Sequence, residues 1–215
     1  MSESAFLRAR RPEHKRQRRE AILAAARGLA AESGVRGVSL GDVAAAVGLA
    51  KSNVVRYFGS REEIFLELAA EGWREWADDV VGRLRRGDDA IDALAETHAE
   101  RPLFCDLIGQ IPATLEHNIS VPVARDFKRM CRDITREVGA EVAAARPDLT
   151  DSEADELVSA AHVLAGTLHP LANPAPTMVQ VYRHHPELAG MFPAFLPTLR
   201  RTLAALAAGL PTLRP

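Results

Sequence analysis

The sequence predicts an all-α protein in which an N-terminal three-helix domain containing a helix-turn-helix precedes a larger C-terminal helical domain. Apolar residues recur at intervals of three and four along much of the 215-residue chain, which is typical of amphipathic helices. No segment shows the strict alternation of a convincing strand. Residues 39–63 contain two short helical patterns joined by a glycine, and this motif defines the smaller domain.

The two ends of the chain differ in charge, although the whole sequence carries a formal net charge of only −2. Residues 1–60 contain 11 Lys plus Arg against 5 Asp plus Glu, a balance of +6, and residues 61–215 contain 16 against 24, a balance of −8. Affinity for DNA is dominated by phosphate neutralisation, so the basic end is the candidate nucleic-acid surface. On charge alone, a solvated basic tail explains the pattern equally well.

The N-terminal segment is basic before any helical pattern begins. Residues 1–12 include three arginines and no burial pattern, which predicts a flexible basic arm able to lie along DNA. A first helix is expected near Glu13–Ser33, ended by Gly34, and with the helix-turn-helix it forms a predicted DNA-binding domain of residues 13–59. Its early cations can reach phosphates: Lys15, Arg16, Arg18 and Arg19.

The helix-turn-helix is predicted from its cap and its glycine. Ser39 can cap the first short helix with Asp42 as capping-box partner, and Gly48 supplies a left-handed turn. The second helix, near residues 50–57, turns its apolar side chains inward. The other side chains of this helix are free to face a partner, and they suit bases and phosphates: Lys51, Ser52, Asn53, Arg56 and Tyr57.

A long helix is expected to connect the two domains. Ser60 to Glu63 is an S-x-x-E capping box followed by an apolar run, so the helix should extend to about Arg86 and end at Gly87. Another capping box at residues 150–153 opens a later helix. Residues 60–215 are therefore predicted as one larger helical domain.

These segments resemble the DNA-binding domain of the tetracycline-repressor (TetR) family of bacterial transcriptional regulators. The resemblance covers about residues 15–70 and rests on the first helix ending in AAESG, on SLGDVAAAVGLAKSNVVRYF and on SREEIFLEL. One position departs from the family pattern: Val55 stands two residues before Tyr57, where an aromatic residue is usual, and Arg56 is expected to replace the phosphate contact often made there. The resemblance implies a ligand-responsive repressor that binds palindromic operator DNA as a homodimer.

Each exposed group near the second helix suits a part of DNA. Lys51 and Asn53 are expected to read base edges, and Ser52 allows close approach. Ser39 has the alternative of being a cap only, Tyr57 of packing against the first helix, and Arg61 of pairing with a glutamate. Hydroxyls and cations dominate phosphate contacts, so the expected backbone contacts are Lys15, Arg16, Arg19, Ser39, Arg56, Tyr57 and Arg61.

Two later helices carry a narrow apolar stripe that mimics a heptad repeat. Such helices form a four-helix bundle across a twofold axis or the core of a single chain, and the spacing supports both equally. The resemblance favours the dimer. The stripes are Leu157, Ala161, Leu164, Leu168 and Leu171 in one helix and Leu196, Leu199, Leu203, Leu206 and Leu210 in the other.

The resemblance also implies a cavity for an unknown small-molecule effector in the larger domain. The candidates are apolar side chains with occasional polar tips, and most of them are equally suited to a core. They are Trp73, Trp76, Leu103, Phe104, Leu107, Ile111, Phe127, Met130, Cys131, Ile134 and His162.

Enzymatic and metal-binding functions are disfavoured. The histidines and the two cysteines, Cys105 and Cys131, show no metal-ligand spacing, and neighbours such as Glu116 and His117 diverge on a helix. We expect no cofactor, reduced thiols, no membrane span and a cytoplasmic protein. The remaining alternative is a helical protein that binds a small molecule or a partner and uses its helix-turn-helix only as scaffold, which the basic N-terminal domain disfavours.

Overall fold

The computed structural model describes residues 3–189 and 194–214, and this part of the chain is all-α, without a strand, as predicted. Within it, no helix combines the length and the apolar character needed to cross a lipid bilayer. A short 3-10 turn (Val35–Gly37) follows the first helix, and a π-helical turn (Ile111–Leu115) follows the sixth. The helices of the described residues are α1 (Glu3–Ser33), α2 (Leu40–Ala46), α3 (Lys51–Phe58), α4 (Arg61–Arg85), α5 (Ala90–Ala99), α6 (Pro102–Gln110), α7 (Val121–Ala145), α8 (Asp151–Ala172), α9 (Pro176–His184), α10 (Pro186–Ala189) and α11 (Phe195–Gly209).

Helices α1, α2 and α3 form a small domain, hereafter the head, around a shared apolar core. Ile22 and Ala26 of α1 are buried together with Val43 of α2 and with Val54 and Phe58 of α3. These residues recur at helical spacing, so each helix contributes one apolar face and leaves the other in water. The head therefore has the three-helix form that the sequence predicted.

The turn between α2 and α3 depends on the predicted cap and glycine. The Ser39 hydroxyl accepts a hydrogen bond from the Asp42 amide at 3.2 Å, and the Asp42 carboxylate accepts one from the Ser39 amide at 2.8 Å. Gly48 has a φ of +63°, in the left-handed region that a residue without Cβ enters at little cost. The direction of α3 relative to α2 is thus fixed by local chemistry.

Helix α1 begins earlier than the sequence analysis expected. It starts at Glu3 rather than near Glu13, so residues 3–12 of the predicted arm belong to the helix backbone. Most of the residues in this stretch are Ala, Arg and others that a helix accommodates, so its positive charge does not prevent helix formation. The mobility of the arm stays a prediction.

Helix α4 connects the head to the remaining helices, hereafter the body, much as predicted. The Ser60 hydroxyl caps it by accepting from the Glu63 amide at 3.1 Å, and Gly87, with a φ of +91°, follows its end. Its 25 residues give a length of about 37 Å at 1.5 Å per residue. One rigid element therefore extends from the head into the body.

Helix α8 lies at the centre of the body. It packs against α5, α6, α7 and α11, while α4 packs against α5, α6 and α7. The capping box predicted at its start is present: the Thr150 hydroxyl accepts from the Glu153 amide, and the Glu153 carboxylate accepts from the Thr150 amide. The body is thus a helical bundle in which α4 and α8 each contact most of the other long helices.

Four members of the predicted dimer stripes lie instead in the core of one chain. Leu157 and Ala161 of α8 and Leu199 and Leu203 of α11 are each 0% exposed, and α8 packs against α11. A side chain with no solvent-accessible surface in one chain cannot bury further surface against a second copy. The dimer-interface prediction is therefore wrong for these four residues. The heptad spacing identified the buried face but not what covers it. The stripe members that keep some exposed surface are Leu164, Leu168, Leu171, Leu196, Leu206 and Leu210.

Helices α6 and α8 meet at backbone level. A Cβ added to Gly109 would lie 2.6 Å from the Gly166 carbonyl oxygen, and a Cβ added to Gly166 would lie 3.0 Å from the Gly109 nitrogen. Backbone atoms cannot move aside as the end of a flexible side chain can, so this crossing requires glycine in both helices. The contact fixes the distance between α6 and α8.

We expect Gly109→Ala to destabilise the protein by about 1–3 kcal/mol, because the new methyl group overpacks the crossing. The control is Gly28→Ala, at a position on α1 where an added Cβ meets nothing within 4 Å. Alanine there should stabilise the helix by up to about 1 kcal/mol. Urea unfolding followed by circular dichroism measures both changes, and equal effects at the two positions would contradict the close contact.

Candidate functional site

A basic groove of about 640 Å³ lies between the start of α1 and α3. Three cations line it, Lys15, Arg18 and Arg56, and no carboxylate of the described residues does. Concentrated positive charge of this kind attracts phosphate groups. The residues that line the groove are His14, Lys15, Arg18, Leu49, Asn53, Arg56 and Tyr57.

Helix α3 presents its predicted reading face to solvent. Lys51, Ser52 and Asn53, in its first turn, are exposed, and Arg56 is exposed one turn later. The Lys51 side chain lies close to α2 and to Asp42, whose pKa is lowered mainly by hydrogen bonds from Ser39 and to a smaller extent by the Lys51 charge. The exposed face thus combines an ammonium, a hydroxyl, an amide and a guanidinium, which are the groups that contact DNA bases and phosphates.

Arg19 points into the head rather than towards the groove. Its guanidinium donates to the Tyr57 carbonyl at 2.5 Å, pairs with Glu67 of α4 and lies 4.1 Å from the centre of the Phe58 ring. These contacts join α1 to α3 and α4. The geometry therefore favours a structural role for Arg19, and Tyr57 itself is half-buried, as the alternative from the sequence proposed.

Arg61 is also committed to contacts within the protein. Its guanidinium donates to the Val38 carbonyl at 2.5 Å and to the Val35 carbonyl, and it lies 4.6 Å from the centre of the Phe65 ring. It contacts Glu62 at 3.3 Å as well. The geometry supports the structural alternative kept for this residue, with backbone carbonyls as the main partners.

The groove contains one residue that sequence reasoning missed and clarifies the role of another. His14 was not singled out, and Arg18 lines the groove whereas Arg19 does not. Positions 14 and 18 share one face of an α-helix, whereas position 19 continues the buried stripe of Ile22 and Ala26. Arg19 lies three residues before the buried Ile22, so its spacing indicates the buried face of α1 and distinguishes it from Arg18. Arg16 is exposed and pairs with Glu13 and Glu20, as a solvated cation does.

The body contains a cavity of about 610 Å³ between α4, the end of α6, α7 and α8. Its wall is mainly apolar, and its size is typical of a small-molecule site. Five of the predicted ligand residues line it: Trp73, Ile111, Phe127, Cys131 and His162. Sequence reasoning did not single out the other lining residues, which are Ile108, Gly109, Pro112, Lys128, Val163, Gly166, Thr167, Pro170 and Leu171.

The other predicted ligand residues do not line this cavity. Trp76 is fully buried in the core. Phe104 and Leu107 line a separate groove of about 250 Å³, and Met130 and Ile134 line an open groove along α7. Helical periodicity identified their buried or half-buried faces correctly, but the position of a cavity depends on how those faces meet.

Two histidines are buried among aromatic side chains beside the cavity. The His162 ring stacks on Trp73 with centroids 3.8 Å apart and meets Trp76 edge-on at 4.3 Å. The His98 ring lies 5.0 Å from Trp76 and 5.0 Å from His162. The four rings form one cluster, in which the indole of Trp73 and the imidazole of His162 also form part of the cavity wall.

Burial keeps two histidines and one cysteine of this region neutral. Desolvation lowers the pKa of His98 to about 4, and the hydrogen bond from its Nδ1 to the Leu94 carbonyl at 2.7 Å offsets this only in part. Desolvation also lowers the pKa of His162 well below 6.5. Burial raises the pKa of the Cys131 thiol to about 12. The cavity wall therefore carries a neutral imidazole and a neutral thiol at physiological pH.

Helix α6 joins the cavity wall to the head. Its Asp106 carboxylate accepts a hydrogen bond from the Val35 amide of the head at 2.7 Å. Ile108 and Gly109, less than one turn later, line the cavity. Helix α4 makes a second connection, because it carries Trp73 in the cavity wall and begins in the head. Two helices therefore connect the cavity wall to the head.

Comparisons with known proteins give two family matches. Residues 22–68 match the family described as "Bacterial regulatory proteins, tetR family", and residues 70–214 match "Tetracyclin repressor-like, C-terminal domain". The structure of the fatty acid degradation regulator FadR from Bacillus halodurans is similar, with a TM-score of 0.52 and 13% identity over 91% of this chain and 99% of that chain. A TetR-family regulator from Mesorhizobium loti MAFF303099 gives a TM-score of 0.46 and 14% identity over 93% of this chain and 97% of its own. No curated protein matches this sequence.

We expect the free energy of unfolding to fall as pH decreases from about 6.5 towards about 4. Between these pH values His98 binds a proton in the unfolded chain but not in the folded protein, so acid favours unfolding. The pKa of His98 is about 4 in the folded protein and 6.5 in the unfolded chain, so at about pH 5 this one residue lowers the free energy of unfolding by about 2 kcal/mol.

Urea unfolding at about pH 7.5 and pH 5 measures this effect in the wild type, His98→Phe and His117→Phe. His98→Phe should lose less stability on acidification than the wild type, whereas the exposed His117 provides a control that should not change the difference. An unchanged pH dependence in His98→Phe would contradict the neutral buried state.

Proposed function

The chain belongs to the TetR family of bacterial transcriptional regulators, and from this premise we propose that it is a ligand-responsive repressor that binds a palindromic operator as a homodimer. The observation that carries the proposal is the basic groove next to the exposed face of α3, in a head that α4 and α6 connect to a body with a mainly apolar cavity. Its target is chromosomal DNA, so the protein would act in the cytoplasm.

Helix α3 is proposed to enter the major groove with its first turn leading. Lys51 and Asn53 are exposed there, and their ammonium and amide groups suit guanine and adenine edges. Ser52 permits close approach between them. The buried Val54 and Phe58 hold the helix against the head, so the reading groups are presented by a rigid element.

The backbone of DNA is proposed to lie along the groove between α1 and α3. Lys15, Arg18 and Arg56 supply its positive charge, and Tyr57 contributes to its wall. His14 also lines this groove. Arg16 and Ser39 remain proposed contacts at the edge of this surface, whereas the inward contacts of Arg19 and Arg61 make these residues supports of the head rather than phosphate ligands.

A second copy is proposed to pack on the outer face of α8. Val163 and Leu171, at the open edge of the body cavity, are 68% and 41% exposed, which leaves apolar surface on a helix whose other faces are covered. Leu206 and Leu213, near the C-terminus, are 37% and 79% exposed. Two reading helices held by such an interface would meet two half-sites of a palindrome.

The ligand response is proposed to act through α4 and α6. A molecule in the cavity contacts Trp73 on α4 and Ile108 on α6, and both helices reach the head. Binding that favours a different position of these helices changes the distance between the two α3 helices of a dimer. The change in operator affinity cannot exceed the difference in ligand affinity between the two states.

We expect Arg18→Ala and Lys51→Ala to weaken DNA binding in different ways. Loss of Arg18 should weaken binding to all DNA sequences by the same factor, because a phosphate contact is lost. It should also reduce the slope of log affinity against log salt concentration by about 1. Loss of Lys51 should cost about 1–3 kcal/mol on the preferred operator and relax the choice of one base per half-site.

Operators selected from random duplexes, followed by fluorescence anisotropy at several salt concentrations, measure both effects. Arg132→Ala, which removes an exposed cation of the body, is the control and should bind like the wild type. Binding that is absent or insensitive to salt would favour the scaffold alternative and contradict the proposal.

We expect Val163→Glu to weaken the dimer by at least about tenfold, because a carboxylate placed in an apolar interface loses its hydration. Val121→Glu is the matched control, since Val121 is 81% exposed at the start of α7 and lies outside the proposed interface. Sedimentation equilibrium measures the dissociation constants. A Val163→Glu protein that pairs as tightly as the control would place the interface elsewhere.

A further inference from the structure

The described residues of the body-cavity wall carry no unpaired charge. Among the described residues that line it, Lys128 is the single charged side chain. Its ammonium lies 2.5 Å from the Glu116 carboxylate, so the cation at the edge of the cavity is already paired. An anion entering the cavity would have to compete with Glu116, and a cation would meet no free carboxylate.

The polar groups inside the wall cannot supply a charge either. His162 is 6% exposed and stacks on Trp73, which is 8% exposed, with ring centroids 3.8 Å apart, and the His162 Nε2 is buried without a hydrogen-bond partner. Burial keeps the pKa of His162 well below 6.5 and raises the pKa of Cys131 to about 12, so both groups stay uncharged near neutral pH. Thr167 contributes an uncharged hydroxyl at the exposed side of the wall.

We propose that the body cavity binds an uncharged, mainly apolar small molecule, and that the Glu116–Lys128 ion pair determines this specificity by withholding the cation that an anionic molecule of the same shape would need. Ile108, Ile111 and Phe127 provide the apolar surface for the ligand skeleton. An uncharged hydroxyl or carbonyl group of the ligand is met by uncharged polar groups of the wall. A carboxylate would lose its hydration without gaining a partner.

The proposal deepens the ligand response proposed above and relies on it only for the effect on DNA, because ligand binding is measured on the protein alone. The chain has two tryptophans, Trp73 and Trp76, and both belong to the ring cluster at the cavity. Their fluorescence therefore reports occupancy of this site.

The experiment titrates the full-length protein with three probes that share an eight-carbon chain: 1-octanol, octanoate and octylammonium, at about pH 7.5 and low ionic strength. We expect 1-octanol to bind saturably and at least about tenfold more tightly than either ion, because burying an unpaired charge is costly. Octanoate binding as tightly as 1-octanol, or no saturable binding of 1-octanol, would overturn the proposal.

Two variants test the role of the ion pair. Glu116→Gln frees the Lys128 ammonium and should raise octanoate affinity by about fivefold at low salt, the upper range for a partly exposed ion pair, with 1-octanol unchanged. The gain should disappear at about 1 M salt, where such pairs are screened. Glu156→Gln, which removes an exposed carboxylate of α8 that does not line the cavity, should change neither probe.

Both substitutions lie at partly or fully exposed positions, and thermal unfolding confirms that each variant is folded before titration. An equal octanoate gain in the two variants, or no gain in Glu116→Gln, would remove the ion pair from the specificity. A separate titration with operator DNA distinguishes the proposed function from this inference: 1-octanol that binds but leaves operator affinity unchanged contradicts the ligand response and leaves the ligand class standing.

Discussion

Helix α4 begins at Arg61, whose guanidinium donates to the carbonyls of Val35 and Val38 in the head, and ends at Arg85 in the body. The backbone groups in the interior of an α-helix form hydrogen bonds within the helix, so α4 is a rigid element. Helix α6 adds a second connection through the bond between Asp106 and Val35. The head is therefore positioned from the body by two elements, and both also form walls of the cavity. In the proposed function, this shared use of α4 and α6 connects DNA binding to the small-molecule response.

The region around the cavity has the electrostatic character of a protein core. His98 and His162 are surrounded by rings, and each uses its Nδ1 to bond a carbonyl of its own helix, at 2.7 and 2.9 Å. Desolvation outweighs these bonds and keeps both imidazoles neutral. The head differs in this respect, because its groove places three cations at the surface, where water and phosphate can reach them. The groove of the head is therefore positively charged and exposed, whereas the imidazoles beside the cavity are neutral and buried.

Local chemistry made much of the fold predictable. The caps at Ser39 and Thr150 and the left-handed glycines at positions 48 and 87 are short-range signals, and the structure places helix boundaries where they indicated. The start of α1 was predicted near Glu13, whereas the helix begins at Glu3, because the helix propensity of residues 3–12 outweighs their charge. Periodicity gave the buried faces of α8 and α11 but could not say whether another helix or another chain covers Leu157 and Leu199. Only some of the residues in the cavity wall were predicted, because the position of the wall depends on how α6, α7 and α8 cross.

At the crossing of Gly109 and Gly166, no side chain separates α6 from α8, so neither helix can tilt without carrying the other along. Helix α6 contacts the head, whereas α8 offers its outer face to a second subunit in the proposed dimer. Occupancy of the cavity and pairing of subunits would then be thermodynamically linked, and each would alter the other by the same factor. The cellular abundance of the protein would consequently help to set the ligand concentration at which its genes are released.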